Sequence, residues 1–192
     1  MTHVFFVRHA EPIHSWEDDR TRPLSNEGLK DRFAAMEVLR DHDIGAVYSS
    51  PYARSLTTVE PIAELHNLKI KTDERLRERQ AGSMANNYEL FQKRWNDLSF
   101  CEEGGESIGK LQRRNIQALF EILSLNTDKE IVIGTHGSAF SSILKYFNEA
   151  FGVEDFMRII DLMPYVVRMD FDSTHLVQTT EVLSIKKEYK PQ

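Results

Sequence analysis

The 192-residue chain holds one cysteine, 9 glycines and 6 prolines, and no long apolar run. A lone cysteine, Cys101, excludes an intrachain disulfide and a cysteine-built metal cluster; it suits a reducing compartment, and a cytoplasmic location is expected. So little glycine and proline disfavours a fibrous repeat or a disordered chain, and no internal repeat, linker or low-complexity block is present. No stretch approaches the roughly 20 apolar residues that span a bilayer. The apolar run at residues 4–7 is too short for a secretory signal. Cations are also scarce, with 24 Lys and Arg against 30 Asp and Glu and a formal net charge of -6. That balance speaks against a nucleic-acid binder, whose affinity rests on cations neutralising phosphates. It does not exclude a small anion held by a local cluster of arginines.

The hydrophobic fraction is 41%, and the length fits one domain over residues 1–192. A chain of this size buries roughly 70% of the surface it exposes when unfolded, enough for a rigid site. Short apolar runs alternate with helical patterns. Residues 4–7 read as a buried strand, as do 46–49 and 131–134; 68–72 alternates as an edge strand, and 165–171 with 176–183 form a late pair. A first helix is predicted from a cap at Ser25 or Asn26, with Leu29, Phe33, Met36 and Leu39 inward and Gly45 as its stop. A second runs from Ser50-Pro51 to about His66 with a kink at Pro61, and a third lies near 88–95. Ser107 caps a fourth, with Ile108, Leu111, Ile116, Leu119, Phe120 and Leu123 inward, and 140–147 is a fifth. The tail, 186–192, reads as solvated. Strands alternating with helices imply an α/β sandwich around a mainly parallel sheet, with ligands at the carboxyl ends of the strands.

Polar chemistry crowds three of those ends: Arg8-His9, Ser49-Ser50 running on to Arg54, and His136-Gly137. A neutral imidazole can attack phosphorus and carry the phosphoryl group, and an arginine fork matches phosphate oxygens. Arg54, early in its helix, projects back toward strand ends where the helix N-terminus favours anions. His136 offers a second imidazole and Gly137 a close backbone approach. Glu78, in Leu76-Arg77-Glu78-Arg79-Gln80-Ala81-Gly82, is a carboxylate able to move a proton, provided it can hold one. With Arg75, Arg77 and Arg79 around it, Glu78 equally fits a salt-bridged surface glutamate. Taken singly, the others also have ordinary alternatives: a loop histidine, an exposed helical arginine, a helix-capping histidine.

Taken in order, Arg-His-x-Glu, Ser-Ser-Pro-x-x-Arg, Leu-x-Glu-x-x-x-Gly and His-Gly occupy about residues 4–147. In that order they resemble the histidine phosphatase superfamily, the phosphoglycerate mutase-like group, and within it the small bacterial-type phosphatases. The resemblance implies a three-layer α/β/α sandwich and a phosphoric monoester hydrolase. It also implies His9 as the phosphorylated nucleophile, Glu78 as proton donor, and Arg8, Arg54 and His136 as the phosphate pocket, with Gly137 beside them. No metal and no cofactor are expected, and the partner is a small phosphorylated metabolite or phosphoester. Residues 22–28 are similar to the family's Pro-Leu-Thr-x-x-Gly segment, and Gly105-Glu106-Ser107 to its Gly-Glu-Ser helix start. Two places depart from the pattern. Ser15 stands where an asparagine commonly reaches the phosphate, which implies a shorter or water-mediated contact, and Ser83-Met84-Ala85-Asn86 replaces the usual tryptophan-glycine after Gly82.

Three other readings stay open. A mutase would return the phosphoryl group to a substrate, although 192 residues leave little room for the extra segments that close mutase sites. A metal-dependent hydrolase would draw ligands from His9, Glu11, His14, Glu17, Asp18, Asp19 and His136, but no histidine pair has helical metal-site spacing. A non-catalytic protein would keep the pocket to bind a phospho-ligand. Trp16 and Trp95 read as packing or pocket-wall residues, Glu17-Asp18-Asp19 as a solvated loop, Arg20 and Arg22 as surface residues, and Cys101 as uninvolved. Neither the substrate nor the oligomeric state is legible in the sequence.

Overall fold

A computed structural model describes residues 1–188. Among the described residues the elements follow in the order β1 (Thr2–Arg8), α1 (Asn26–Glu37), β2 (Ile44–Ser49), α2 (Ala53–Leu65), β3 (Ile70–Thr72), α3 (Tyr88–Asn96), α4 (Ile108–Leu125), β4 (Glu130–Thr135), α5 (Gly137–Phe147), α6 (Val153–Ile159), β5 (Leu162–Asp172) and β6 (His175–Lys186). The strands form one six-stranded sheet in the order β3-β2-β4-β1-β5-β6. The first four are mutually parallel; β5 runs antiparallel to β1, and β6 antiparallel to β5. No helix among these residues is long and apolar enough to cross a membrane.

The continuous apolar runs take the central positions because both faces of those strands are covered. Along β1, Val4 and Phe6 enter one core with Ile131 and Ile133 of β4, Leu111 and Leu119 of α4 and Ile143 of α5. Phe5 and Val7 enter the other with Ala35 of α1 and Val59 and Ile62 of α2. Alternation along the strands thus makes three layers from one sheet, as expected.

Register then determines where the polar ends fall. Arg8 lies opposite Thr135 and Ser49 opposite Gly134, so β1, β2 and β4 end level. The ladder runs one residue further: His9 N–H donates to the Thr135 carbonyl and Ser50 N–H to the Gly134 carbonyl, both at 3.1 Å. His9, Ser50 and His136 are therefore placed side by side by strand pairing alone.

The helices depart from the sequence pattern in instructive ways. The inward face of α1 is Gly28 and Ala35, whereas Leu29 and Phe33 are exposed and Leu39 is buried past the helix end. A Cβ on Gly28 would stand 2.2 Å from the Glu11 carbonyl oxygen, so close backbone contact selects the small-residue face. Gly45 does not stop this helix; α1 ends at Glu37, and Gly45 lies within β2. Pro61 is accommodated inside α2, where it leaves the Thr57 carbonyl without a helical donor, and Arg32 of α1 supplies one at 3.0 Å. α5 starts three residues earlier than its apolar pattern, at Gly137, and α6 has no counterpart in the sequence reading. In the tail expected to be solvated, Lys186 ends β6 and Lys187 N–H donates to the Asp161 carbonyl at 2.7 Å; residues 189–192 lie outside the described residues.

Ser25 caps α1 by accepting from Gly28 N–H at 3.0 Å, and its hydroxyl donates to Glu11 at 2.6 Å. Gly28→Ala should therefore push this junction apart and destabilise the protein by about 1–3 kcal/mol, the usual range for overpacking. Denaturant unfolding of the variant against wild type measures this loss.

Candidate active site

His9 is buried where the β1 ladder runs out. Its Nδ1 lies 2.8 Å from the Ala10 carbonyl, which can only accept, so this nitrogen carries the proton. The Ala10 position is itself fixed by α2, since Ala10 N–H donates to Thr58 Oγ1 at 3.0 Å and the Thr58 hydroxyl donates to the Arg54 carbonyl at 2.7 Å. His9 Nε2 is left with its lone pair, and Arg54 Nε donates to it at 3.2 Å. The His136 ring packs edge-on against His9 with centroids 5.3 Å apart. Its Nε2 lies 2.7 Å from Ser50 Oγ, and its Nδ1 is buried with no hydrogen-bond partner among the described residues.

Both imidazoles are pushed well below their ordinary value of 6.5. Burial is the largest cause for each. For His9 the Arg54 and Arg8 guanidiniums follow, opposed by the bond to Ala10; for His136, Arg54, His9 and Arg8 follow. Without a ligand, the positive charge of the site therefore sits on the arginines.

Arg54 is buried on α2 and splits its donors between His9 and the loop at residues 13–22. Its Nη1 donates to the Asp19 backbone carbonyl and lies 3.2 Å from the Asp19 carboxylate, which also pairs with Arg22 at 2.9 Å. The loop read as a solvated acidic run thus places a carboxylate on Arg54. Tyr52 completes the wall, edge-on to His136 at 5.3 Å, with the Arg54 guanidinium 5.2 Å from its ring centroid.

Arg8 differs from expectation. Its terminal nitrogens donate to the carbonyls of Ile159, Ile160 and Leu162, where α6 turns into β5, so the fork grips backbone and leaves Nε buried without a partner. Burial pulls this guanidinium down to about 10, partly offset by Glu78 and Asp161. It packs flat on Gly137, where a Cβ would stand 3.1 Å from Nη2 and 3.2 Å from Cζ, so any side chain there would press on the guanidinium.

Glu78 is not a salt-bridged surface residue. Its carboxylate accepts Ser138 N–H and Ala139 N–H of α5, both at 3.1 Å, and Arg79 N–H at 2.7 Å. It therefore sits on the N-terminus of α5, two residues from His136. The three neighbouring arginines turn elsewhere: Arg75 to Asp73 and Glu121, Arg77 to Glu106, and Arg79 to Glu102.

Ser15 lies exposed in the 13–22 loop and does not join the hydrogen bonds of this cluster. Trp16 is exposed and Trp95 buried between Phe151 and Phe156. Among the described residues no three His, Cys, Asp or Glu side chains are gathered as a metal site, so the acidic loop and the two histidines do not converge as ligands. Tyr52 and Thr58 are absent from the sequence reading of the site, and Asp19 enters it only as a possible metal ligand or part of a solvated loop. Their signal was their position: Tyr52 and Thr58 flank Arg54, and Asp19 lies in the loop that follows His9.

The depressed imidazoles set a sign for stability. Below about pH 6.5 the unfolded chain binds protons that folded His9 and His136 refuse, so unliganded stability is lost as pH falls beneath that value. The slope should reach at most about 1.4 kcal/mol per pH unit for each histidine. Thermal unfolding between about pH 5 and about pH 8 reads it directly, and His136→Asn should flatten the acid limb.

Comparison with known proteins identifies the family. The family model described as the histidine phosphatase superfamily (branch 1) matches residues 4–176. The probable phosphoglycerate mutase GpmB of Yersinia enterocolitica is 29% identical over 162 residues, covering 75% of this chain and 74% of that protein. Phosphoserine phosphatase 1 of Hydrogenobacter thermophilus is 28% identical over 151 residues, 71% of each chain. Among solved structures, the phosphoserine phosphatase of Entamoeba histolytica in complex with 3-phosphoglyceric acid superposes with a TM-score of 0.78 at 20% identity, covering 95% of this chain and 98% of that one. With the paired strand-end histidines, the buried Arg54 and a family match spanning most of its length, the chain belongs to the histidine phosphatase superfamily, branch 1.

Proposed function

We propose that the chain, acting as one domain, is a phosphatase that hydrolyses a small phosphate monoester without a metal, through a phosphohistidine on His9. One arrangement supports this above the other readings: Ala10 holds the Nδ1 proton, so the buried Nε2 keeps its lone pair and faces Arg54 at 3.2 Å. A nucleophile kept unprotonated beside fixed cations is what in-line attack on a phosphoryl group requires.

In the proposed cycle the phosphoryl oxygens take the Arg54 donors from His9 and Asp19, while Arg8 adds charge from behind Gly137. The His9 Nε2 lone pair forms the N–P bond as the ester P–O bond breaks, and Glu78 gives its proton to the departing oxygen. Glu78 then takes a proton from water as the water oxygen attacks phosphorus; the N–P bond breaks and orthophosphate leaves. The anion in the pocket favours a protonated His136, whose Nδ1 then becomes a donor. Preorganised cations supply most of the stabilisation of transition-state charge. Relatives named as phosphatase and mutase share this family, and a phosphorylated small acid or alcohol is the substrate class both names suggest.

Phosphate release from p-nitrophenyl phosphate and from a panel of small phosphomonoesters, in excess chelator, tests the reading. His9→Ala should lose at least about 10³-fold in kcat and trap no acid-labile phosphate. Arg54→Ala should lose about 10²–10³-fold. Isomerisation of 3-phosphoglycerate without phosphate release would assign the mutase activity instead, and turnover by His9→Ala at the wild-type rate would overturn the mechanism. Asp19→Asn frees Arg54 from a half-exposed partner and should tighten vanadate inhibition by up to about fivefold.

A further inference from the structure

Arg114 stands on the buried side of α4, in line with Leu111 and Ala118, where a charged residue needs a reason. All five of its N–H groups are used. Nε and Nη2 donate to the two oxygens of buried Glu106 at 2.8 and 2.7 Å. Nη1 donates to the carbonyls of Arg75 and Arg77 at 2.6 and 2.7 Å, and the second proton of Nη2 goes to the carbonyl of Glu78 at 2.9 Å. Glu106 closes the frame from the other side: its carboxylate accepts Gln80 N–H at 3.3 Å, its carbonyl accepts Arg79 Nη1 at 2.9 Å, and its own N–H donates to Gln80 at 3.0 Å.

The segment at 75–80 forms no regular strand or α-helix of its own, yet five of its residues are tied to this one ion pair. Its side-chain product is the Glu78 carboxylate, delivered onto the α5 N-terminus beside His136. We infer that Arg114, locked by Glu106, is the positioning residue for the proton-transfer step: it fixes the Glu78 backbone, and through it the distance from the carboxylate to the leaving oxygen. Only a guanidinium can do this. Lysine keeps the charge opposite Glu106 but has three donors on one nitrogen and cannot bridge a carboxylate and three carbonyls at once.

The inference rests on the phosphatase reading and can fail separately from it. Proton donation matters most when the leaving group is a poor one, so the readout is leaving-group dependence rather than activity alone. Arg114→Lys should keep kcat/KM, which reads the phosphorylation step and not the later attack of water, within about twofold of wild type on p-nitrophenyl phosphate, yet lose roughly tenfold in kcat/KM on an alkyl phosphate, with vanadate inhibition unchanged. Glu78→Gln should show the same selectivity more strongly, and adding Arg114→Lys to it should cost little more. Equal losses on both substrates, weakened vanadate inhibition, or full additivity with Glu78→Gln would overturn the role and leave Arg114 as scaffold only. Should Arg114→Lys unfold, Glu106→Gln, which keeps one accepting oxygen opposite Arg114 and turns the other into a donor, must show the same leaving-group signature or the inference fails. Absence of turnover by wild-type protein on both ester types would refute the phosphatase reading instead.

Discussion

The hydrogen bond from Arg54 Nε to His9 Nε2 can exist only while that nitrogen holds a lone pair. The Ala10 carbonyl on Nδ1 and the burial of the ring enforce that state, and the nearby guanidiniums add to it. A buried arginine beside two buried neutral imidazoles is an unbalanced arrangement for a protein interior, where charge is normally matched. Its stability depends on partial compensation from Asp19 and from backbone carbonyls, and an arriving dianion can supply the remainder. Under the proposed function, the same features that make the pocket electrostatically uneven favour a phosphoryl group there.

Level strand ends make this crowding possible. Because β1, β2 and β4 are parallel and in register, three chain reversals occur in one plane, and each delivers a polar residue to the same point. Arg8 then ties that point to the far side of the sheet, since its fork holds the turn between α6 and β5 while its face rests on Gly137. An arginine so engaged brings charge to the strand ends while its fork is taken up by backbone.

What the sequence revealed and what it hid divide along physical lines. His9, Ser50 and His136 were legible because they follow short apolar strands, and strand ends are where a parallel sheet places its chemistry. Arg54 was legible from its offset into α2. The grip of Arg8 on Ile159, Ile160 and Leu162 was not, because its partners are backbone carbonyls at the end of a seven-residue helix, and backbone acceptors leave no mark in a side-chain pattern. For α1 the apolar pattern misled: close approach at Gly28 outweighed the burial of Leu29 and Phe33, which no period-based reading weighs. Around Glu78, counting charges suggested a surface ion pair, yet each neighbouring arginine pairs with an acid other than Glu78, and the carboxylate went to α5. Sequence distance is a poor guide to pairing when several arginines compete for several acids.

Two kinds of arginine emerge from that competition. Arg79 and Arg94 on Glu102, and Arg114 on Glu106, meet carboxylates whose side chains are 0% and 3% exposed. Removing one partner from such a buried pair costs about 3–5 kcal/mol, so these are fixtures that hold the loops around the site. Arg54 instead meets Asp19, whose side chain is 43% exposed, and a pair so open to water is worth only about 0.2–1 kcal/mol. Under the proposed function, an anion entering the pocket competes with an ion pair more exposed than those on Glu102 and Glu106. On that reading, a chain with net charge -6 can hold a phosphate pocket, because the buried acids Glu102 and Glu106 are committed to scaffold arginines and Asp19, on Arg54, is open to exchange.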